Sequence, residues 1–288
     1  MGKEYEFKEA VCGGTDTSYD ESAPKEIKSD EMTFFSVTSA LDSSGARFGF
    51  ISACAAPAGD GTFLFLETGR RGDSTVAWAL VRSDVFPPLA ALVKEHGLAK
   101  QNGVHMTTHG LPENFGGSVD IRYESGEKIS FSDNQSPIFS SKFASAVADV
   151  MKKAMAGERV ALPDVDTLVS IRFEETRSGG GFTDATLTIG ADGAGTNEKK
   201  SRYSDPKVYE SSKPVDKATV DEIKKNILDT GLLAWEKLPK SDYAYGANKK
   251  LTFTFVNGAS ITVPSDRRLP SRISDGFFAI ELEMPTKH

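Results

Sequence analysis

Lys250-Leu251-Thr252-Phe253-Thr254-Phe255 runs up to Asn257-Gly258 and returns as Ser260-Ile261-Thr262-Val263. Leu251, Phe253 and Phe255 fall on one face of an extended chain, and Thr252 and Thr254 fall on the other. That period of two marks a half-buried strand. Asn-Gly suits a tight hairpin turn that needs positive φ. The same arrangement stands earlier in the chain. Ser118-Val119-Asp120-Ile121-Arg122-Tyr123 turns at Ser125-Gly126 and returns through Lys128-Ile129-Ser130-Phe131. The turn glycines, Gly126 and Gly258, lie 132 positions apart, and each hairpin passes into a Ser-Asp pair, Ser132-Asp133 and Ser265-Asp266.

Working outward, the correspondence continues. Glu95-His96-Gly97-Leu98-Ala99 ends one helical stretch and Asp229-Thr230-Gly231-Leu232-Leu233 ends another, with the glycines 134 positions apart. Each is followed by a loop holding Leu-Pro, at 111–112 and at 238–239. Tyr5-Glu6-Phe7-Lys8-Glu9 before Cys12-Gly13-Gly14 matches Ile171-Arg172-Phe173-Glu174-Glu175 before Ser178-Gly179-Gly180-Gly181, at a separation of 166. On that match the first copy carries about 32 extra residues before its first helix. The polar stretch 15–30, with its Ser, Asp and Glu and with Pro24, accounts for part of them and reads as a surface loop or linker.

The expected fold is therefore α+β: two tandem copies of a module of antiparallel strands, helix, β-hairpin and helix, divided as 1–160, with a polar insert at 15–30, and 161–288. Strands are expected near 4–11, 32–41, 47–54, 62–68 and 74–81, then 166–175, 182–190 and 198–204. Leu89, Leu92 and Val93 give a helical stripe at 84–96, and Phe143, Val147, Val150 and Met151 give one at 138–156. Val220, Ile223 and Ile227 give a third at 220–230, where Thr219 and Glu222 have capping-box spacing. Residues 273–284 match the 138–156 helix by position, although Phe278, Ile280, Leu282 and Met284 alternate like a strand. The repeat favours helix.

Four of these features, Gly179-Gly180-Gly181-Phe182, Gly231-Leu232-Leu233-Ala234-Trp235, Leu238-Pro239-Lys240-Ser241-Asp242 and a hairpin before a final helix, together resemble a group of uncharacterised bacterial proteins with no assigned activity. The resemblance covers most of the second half and, more loosely, residues 4–156. It implies the two-copy α+β fold and no particular chemistry.

With 41 Asp and Glu against 34 Lys and Arg, the chain is acidic at a net −7. That disfavours general binding to phosphate backbones, so no nucleic-acid partner is expected. Lys199-Lys200 with Arg202 is the best basic patch and reads as a solvated strand edge. Two cysteines, Cys12 and Cys54, exclude a disulfide framework. No apolar run is long enough for a membrane span and the N-terminus has no apolar signal core, so a cytoplasmic protein without a membrane partner is expected.

The weak metal candidate is His105, His109 and Glu113, spaced four apart, although Gly103, Gly110 and Pro112 oppose a helix there and the ligands would have to converge from a loop. His96 reads as a helix C-terminal residue favoured by the dipole. Cys54 lies in a run of small and apolar residues and reads as a buried structural thiol; Cys12 precedes glycine amides that could lower its pKa. Gly179-Gly180-Gly181 and the run 190–195 read as hairpin turns, not as nucleotide or calcium loops. Arg71-Gly72-Asp73 reads as a turn, and Trp78 and Trp235 as core filling. No catalytic set and no cofactor motif emerges. The expected function is a non-enzymatic binding or interaction protein of bacterial origin with an unidentified protein or small-molecule partner. A metal-assisted hydrolase and a structural component of an assembly are the alternatives.

Overall fold

The computed structural model describes residues 14–41, 49–70, 73–109, 116–177, 179–203, 207–238, 240 and 247–266. The fold is α+β, with two sheets flanked by helices. In chain order the strands are β1 Thr15–Tyr19, β2 Met32–Ala40, β3 Phe50–Ala58, β4 Gly61–Arg70, β5 Asp73–Val81, β6 Val104–Thr108, β7 Gly117–Tyr123 and β8 Lys128–Asp133. They are followed by β9 Leu168–Arg177, β10 Phe182–Ile189, β11 Gly195–Arg202, β12 Val208–Val215, β13 Ala247–Phe255 and β14 Ser260–Pro264. The helices are α1 Phe86–Glu95, α2 Ser141–Met155 and α3 Lys217–Thr230. Short 3-10 turns lie at Leu98–Gln101, Val165–Thr167 and Leu232–Lys237.

The first sheet runs β1-β6-β8-β7-β2-β3-β4-β5 and the second β12-β11-β10-β9-β13-β14. Without β1 and β6 the two orders are one order. The first four strands of each copy lie side by side, and the hairpin returns to pair beside the first of them. In each copy a helix follows the fourth strand and ends at a left-handed glycine, Gly97 (φ 62°) or Gly231 (φ 65°), which opens a 3-10 turn. Both hairpins close through the same three-residue loop. Gly126 N–H donates to Tyr123 O and Tyr123 N–H to Glu127 O, each at 3.0 Å. Gly258 N–H donates to Phe255 O at 2.8 Å and Phe255 N–H to Ala259 O at 3.0 Å. Each turn is closed by a positive-φ glycine, as expected at Asn257-Gly258, here within a three-residue loop.

The place of β9 is taken in the first copy by β2, not by the stretch 5–9, which lies outside the described residues. Val37 sits opposite Val119, as Phe173 sits opposite Leu251. Glu124 N–H donates to Glu31 O and Val256 N–H to Thr167 O, both at 2.9 Å. A bulge between Met32 and Phe34 breaks the period of two in β2 and leaves Phe34 and Phe35 both buried, which hides the match from alternation alone.

Residues 15–30 are not all loop. Thr15–Tyr19 pairs as β1 with β6, which in turn runs parallel to β8. The strand Val208–Val215 is a further element that the polar sequence Val-Tyr-Glu-Ser-Ser-Lys-Pro concealed. It is the edge of the second sheet, so Lys199 and Lys200 lie on an interior strand instead of an edge. Lys200 is part of a charged row on the outward face: Lys250, Glu174, Asp184, Lys200 and Glu210 stand opposite one another across five strands. Arg172 bridges Glu174 at 3.5 Å and Asp184 at 2.7 Å, and Lys200 meets Glu210 at 2.8 Å. Such exposed pairs add little stability. They keep that face wet, so the apolar residues Ile171, Phe173, Leu187, Leu251 and Phe253 define the buried face.

By compactness the chain divides into two units: Met1–Ala53 with Leu66–Thr75 and Phe86–Val150, and Cys54–Phe65 with Val76–Val85 and Met151–His288. Within the first, α1 buries Leu89 and Val93, and α2 buries Phe143, Ala144 and Val147. Lys142 of α2 lies 3.7 Å from Glu95 of α1, which places the helices side by side. Within the second, α3 buries Val220, Ile223 and Ile227 as expected, but its cap is Asp216, whose carboxylate accepts from Thr219 N–H at 2.8 Å, rather than Thr219. Residues 273–284 lie outside the described residues. Among the described residues no helix is long and apolar enough to cross a membrane.

Candidate binding pocket

The segment before β2 crosses the first module as a strap fixed at two points. At one end Asn102, 1% exposed, donates to Pro24 O at 2.9 Å and to Lys128 O at 2.7 Å, and its side-chain oxygen accepts from Ser130 N–H at 2.7 Å. One buried amide thus ties the strap to the β7–β8 hairpin with its polar atoms satisfied. Lys25 Nζ donates to Asn102 O beside it. At the other end Glu127 of the hairpin turn accepts from Lys28 N–H at 3.1 Å and Ser29 N–H at 3.0 Å. Those backbone donors, with Ser125 Oγ, hold the Glu127 carboxyl below the usual carboxylate range.

The sign of that shift gives a pH dependence. A carboxylate whose folded pKa is depressed stabilises the fold above its ordinary pKa, near 4, and the contribution is lost as pH falls through the folded value. The strap should therefore stay fixed at neutral pH and loosen in acid. Amide exchange at Lys28 and Ser29 should accelerate below about pH 4 relative to amides elsewhere in the first module. Glu127→Gln should abolish that difference. A wild-type pH profile identical to that of Glu127→Gln would contradict the anchor.

Beneath the strap lies a cavity of about 330 Å³. Ile129 and Tyr123 of the hairpin form its floor, and Ala90 and Val93 of α1 form a wall. Burial, with Glu127 and Asp30 nearby, pushes the Tyr123 hydroxyl up to about 12, so it stays neutral at the pocket. Lys25, Lys94 and Lys100 stand at the mouth with Glu26 and Asp30. Lys94 lies 3.8 Å from Asp30, a loose and exposed pair.

The second copy carries an apolar residue at the corresponding strap position. Its segment before β9 brings Val165 where the first copy has Ser29, on the pairing that aligns Thr167 with Glu31. Val165 is 4% exposed, and its 3-10 turn packs on α3. Lys224 of α3 fixes the turn further, reaching Asp166 O at 3.5 Å. Ile227, Phe255 and Ile261 stand where the first copy has Val93, Tyr123 and Ile129, and all six are buried.

The residues singled out from sequence lie elsewhere. His105, on β6, has Nδ1 3.0 Å from Ser132 Oγ. His109 has Nε2 2.8 Å from Asp16 Oδ2. The two imidazoles are engaged by different partners, and Glu113 lies outside the described residues. Among the described residues no three His, Cys, Asp or Glu side chains are grouped to hold a metal ion. His96 packs edge-on against Phe143 at 5.3 Å. Cys54 is fully buried in β3; Cys12, Arg71 and Gly72 lie outside the described residues. The Gly179-Gly180-Gly181 stretch joins β9 to β10, and 190–194 joins β10 to β11, both hairpins. Trp78 donates its indole N–H to Leu228 O at 2.6 Å, and Trp235 is 1% exposed. The pocket itself escaped sequence reading. Its lining side chains lie far apart in the sequence.

No family model and no curated protein matches this chain. Among solved structures, the DNA polymerase III beta subunit of Thermotoga maritima aligns at 10% identity over 86% of this chain and 60% of that one, with a TM-score of 0.13. The aligned region thus spans about three-fifths of that protein, and a score this low supports no shared fold.

Proposed function

We propose that this chain is a non-enzymatic binding protein, built from two copies dividing near residue 160, and that its first copy holds a small molecule in the strapped pocket. One observation carries this reading: the strap at 25–30, α1 and the β7–β8 hairpin enclose a cavity of about 330 Å³ lined by both apolar and charged side chains. Ligand pockets of a few hundred Å³ with a mostly apolar lining and a few polar groups have this character.

The test is a fluorescence titration with 1-anilinonaphthalene-8-sulfonate, whose emission rises in apolar surroundings. The wild-type chain should bind about one equivalent. Ser29→Val, which puts the second copy's residue into the strap, should abolish that binding while the fold is kept, with at most a small drop in thermal midpoint from the lost Glu31 N–H to Ser29 Oγ bond. Binding unchanged in Ser29→Val, or absent from the wild-type chain, would overturn the reading.

A further inference from the structure

We infer that the pocket takes a ligand with an apolar body and a single anionic head group, such as a carboxylate, which is held at the mouth by Lys100 with Lys94 and Lys25. This rests on the binding reading above and names the class of ligand.

The interior sets the body. Ile129, Val93 and Ala90 offer no hydrogen bonds, so a body lying against them gains by being apolar, while the neutral Tyr123 hydroxyl leaves room for one polar contact. The cavity of about 330 Å³ suits one or two fused rings or a short chain.

The mouth sets the head. Two of its lysines are already engaged: Lys25 with Asn102 O, and Lys94 loosely with Asp30. Lys100, on the 3-10 turn after Gly97, has no acidic partner within 4.0 Å among the described residues. Counting Glu26 and Asp30 against the three lysines leaves one positive charge for an incoming anion.

The comparison between copies supplies a second observation. By the strand and helix pairings above, Lys25, Lys94 and Lys100 correspond to Ala161, Leu228 and Ala234. Asp30 corresponds to Asp166, which keeps its charge. The three lysines that line the cavity are thus confined to the first copy; in the second, Lys224 reaches Asp166 instead. A lysine at the end of a flexible stem can meet carboxylate, sulfonate or phosphate as a point charge.

The experiment compares two probes of the same ring system: 1-anilinonaphthalene-8-sulfonate, which carries an anion, and N-phenyl-1-naphthylamine, which does not. The anionic probe should bind roughly tenfold more tightly, and its affinity should fall as salt rises. Lys100→Gln should weaken the anionic probe about five- to tenfold and leave the neutral one unchanged. Adding Lys94→Gln should weaken the anionic probe again. Equal affinity for the two probes, with Lys100→Gln silent, would overturn the anionic class while leaving the pocket standing. Failure of Ser29→Val to remove either probe would overturn both, because binding would then lie elsewhere. Tight binding of octanoate in competition with the anionic probe, and weak binding of inorganic phosphate, would support a head group attached to an apolar body. The reverse order would overturn it.

Discussion

A Trp235→Ala variant should lose about 3–5 kcal/mol of stability, the largest single effect expected from a side chain outside the pocket. Trp235 is 1% exposed, and its 3-10 turn also buries Leu232, Leu233 and Ala234. Four consecutive residues of one turn are thus in the core, which a regular helix could not arrange because its faces alternate. The indole N–H donates to Thr230 O at 3.3 Å, so truncation removes both packing and a partner. Because small domains are stable by only about 5–15 kcal/mol in total, the variant should show a much lower urea midpoint by circular dichroism. A loss under about 1 kcal/mol, the size expected of a surface substitution, would mean that the turn is not part of the core.

The second large effect contrasts two equivalent glycines. Gly97 and Gly231 both end a helix in the left-handed region, and in both positions alanine adds about 1–2 kcal/mol of backbone strain. At Gly97 the added carbon would meet only the flexible Lys100 side chain, at 3.4 Å. At Gly231 it would come within 2.5 Å of the Trp78 ring. That ring is fixed by its hydrogen bond to Leu228 O at 2.6 Å and lies 6.3 Å from the Phe63 ring centroid. Gly231→Ala should therefore cost a further 1–3 kcal/mol beyond Gly97→Ala. Chemical denaturation of the two variants side by side checks this. Equal costs would mean that Trp78 moves aside freely.

Much of this architecture could be read from the chain. The paired hairpins, the helix-ending glycines and the helical stripes of α1, α2 and α3 all follow from period and turn chemistry. What could not be read has physical causes. The bulge in β2 shifts the apolar period, so alternation alone does not match 32–40 to the opening strand of the second copy. β12 is an edge strand whose first five residues are all exposed, so no alternation betrays it. β6 carries its sheet partners on both sides yet has no fully buried residue. The capping box at Thr219 failed because the helix begins earlier, at Asp216, whose carboxylate accepts from Thr219 N–H. The pocket is lined by side chains of the strap, α1 and the hairpin that lie far apart in the sequence, so it leaves no motif there.

Chemical-shift mapping tests the central claim most directly. On titrating the ¹⁵N-labelled chain with 1-anilinonaphthalene-8-sulfonate, the amides that move should belong to the strap at 25–30, to Ala90–Lys100 and to the hairpin at Tyr123 and Ile129. Those around Val165, α3 and the β13–β14 hairpin should stay in place. Perturbation centred on the second group, or spread evenly over both copies, would contradict the account.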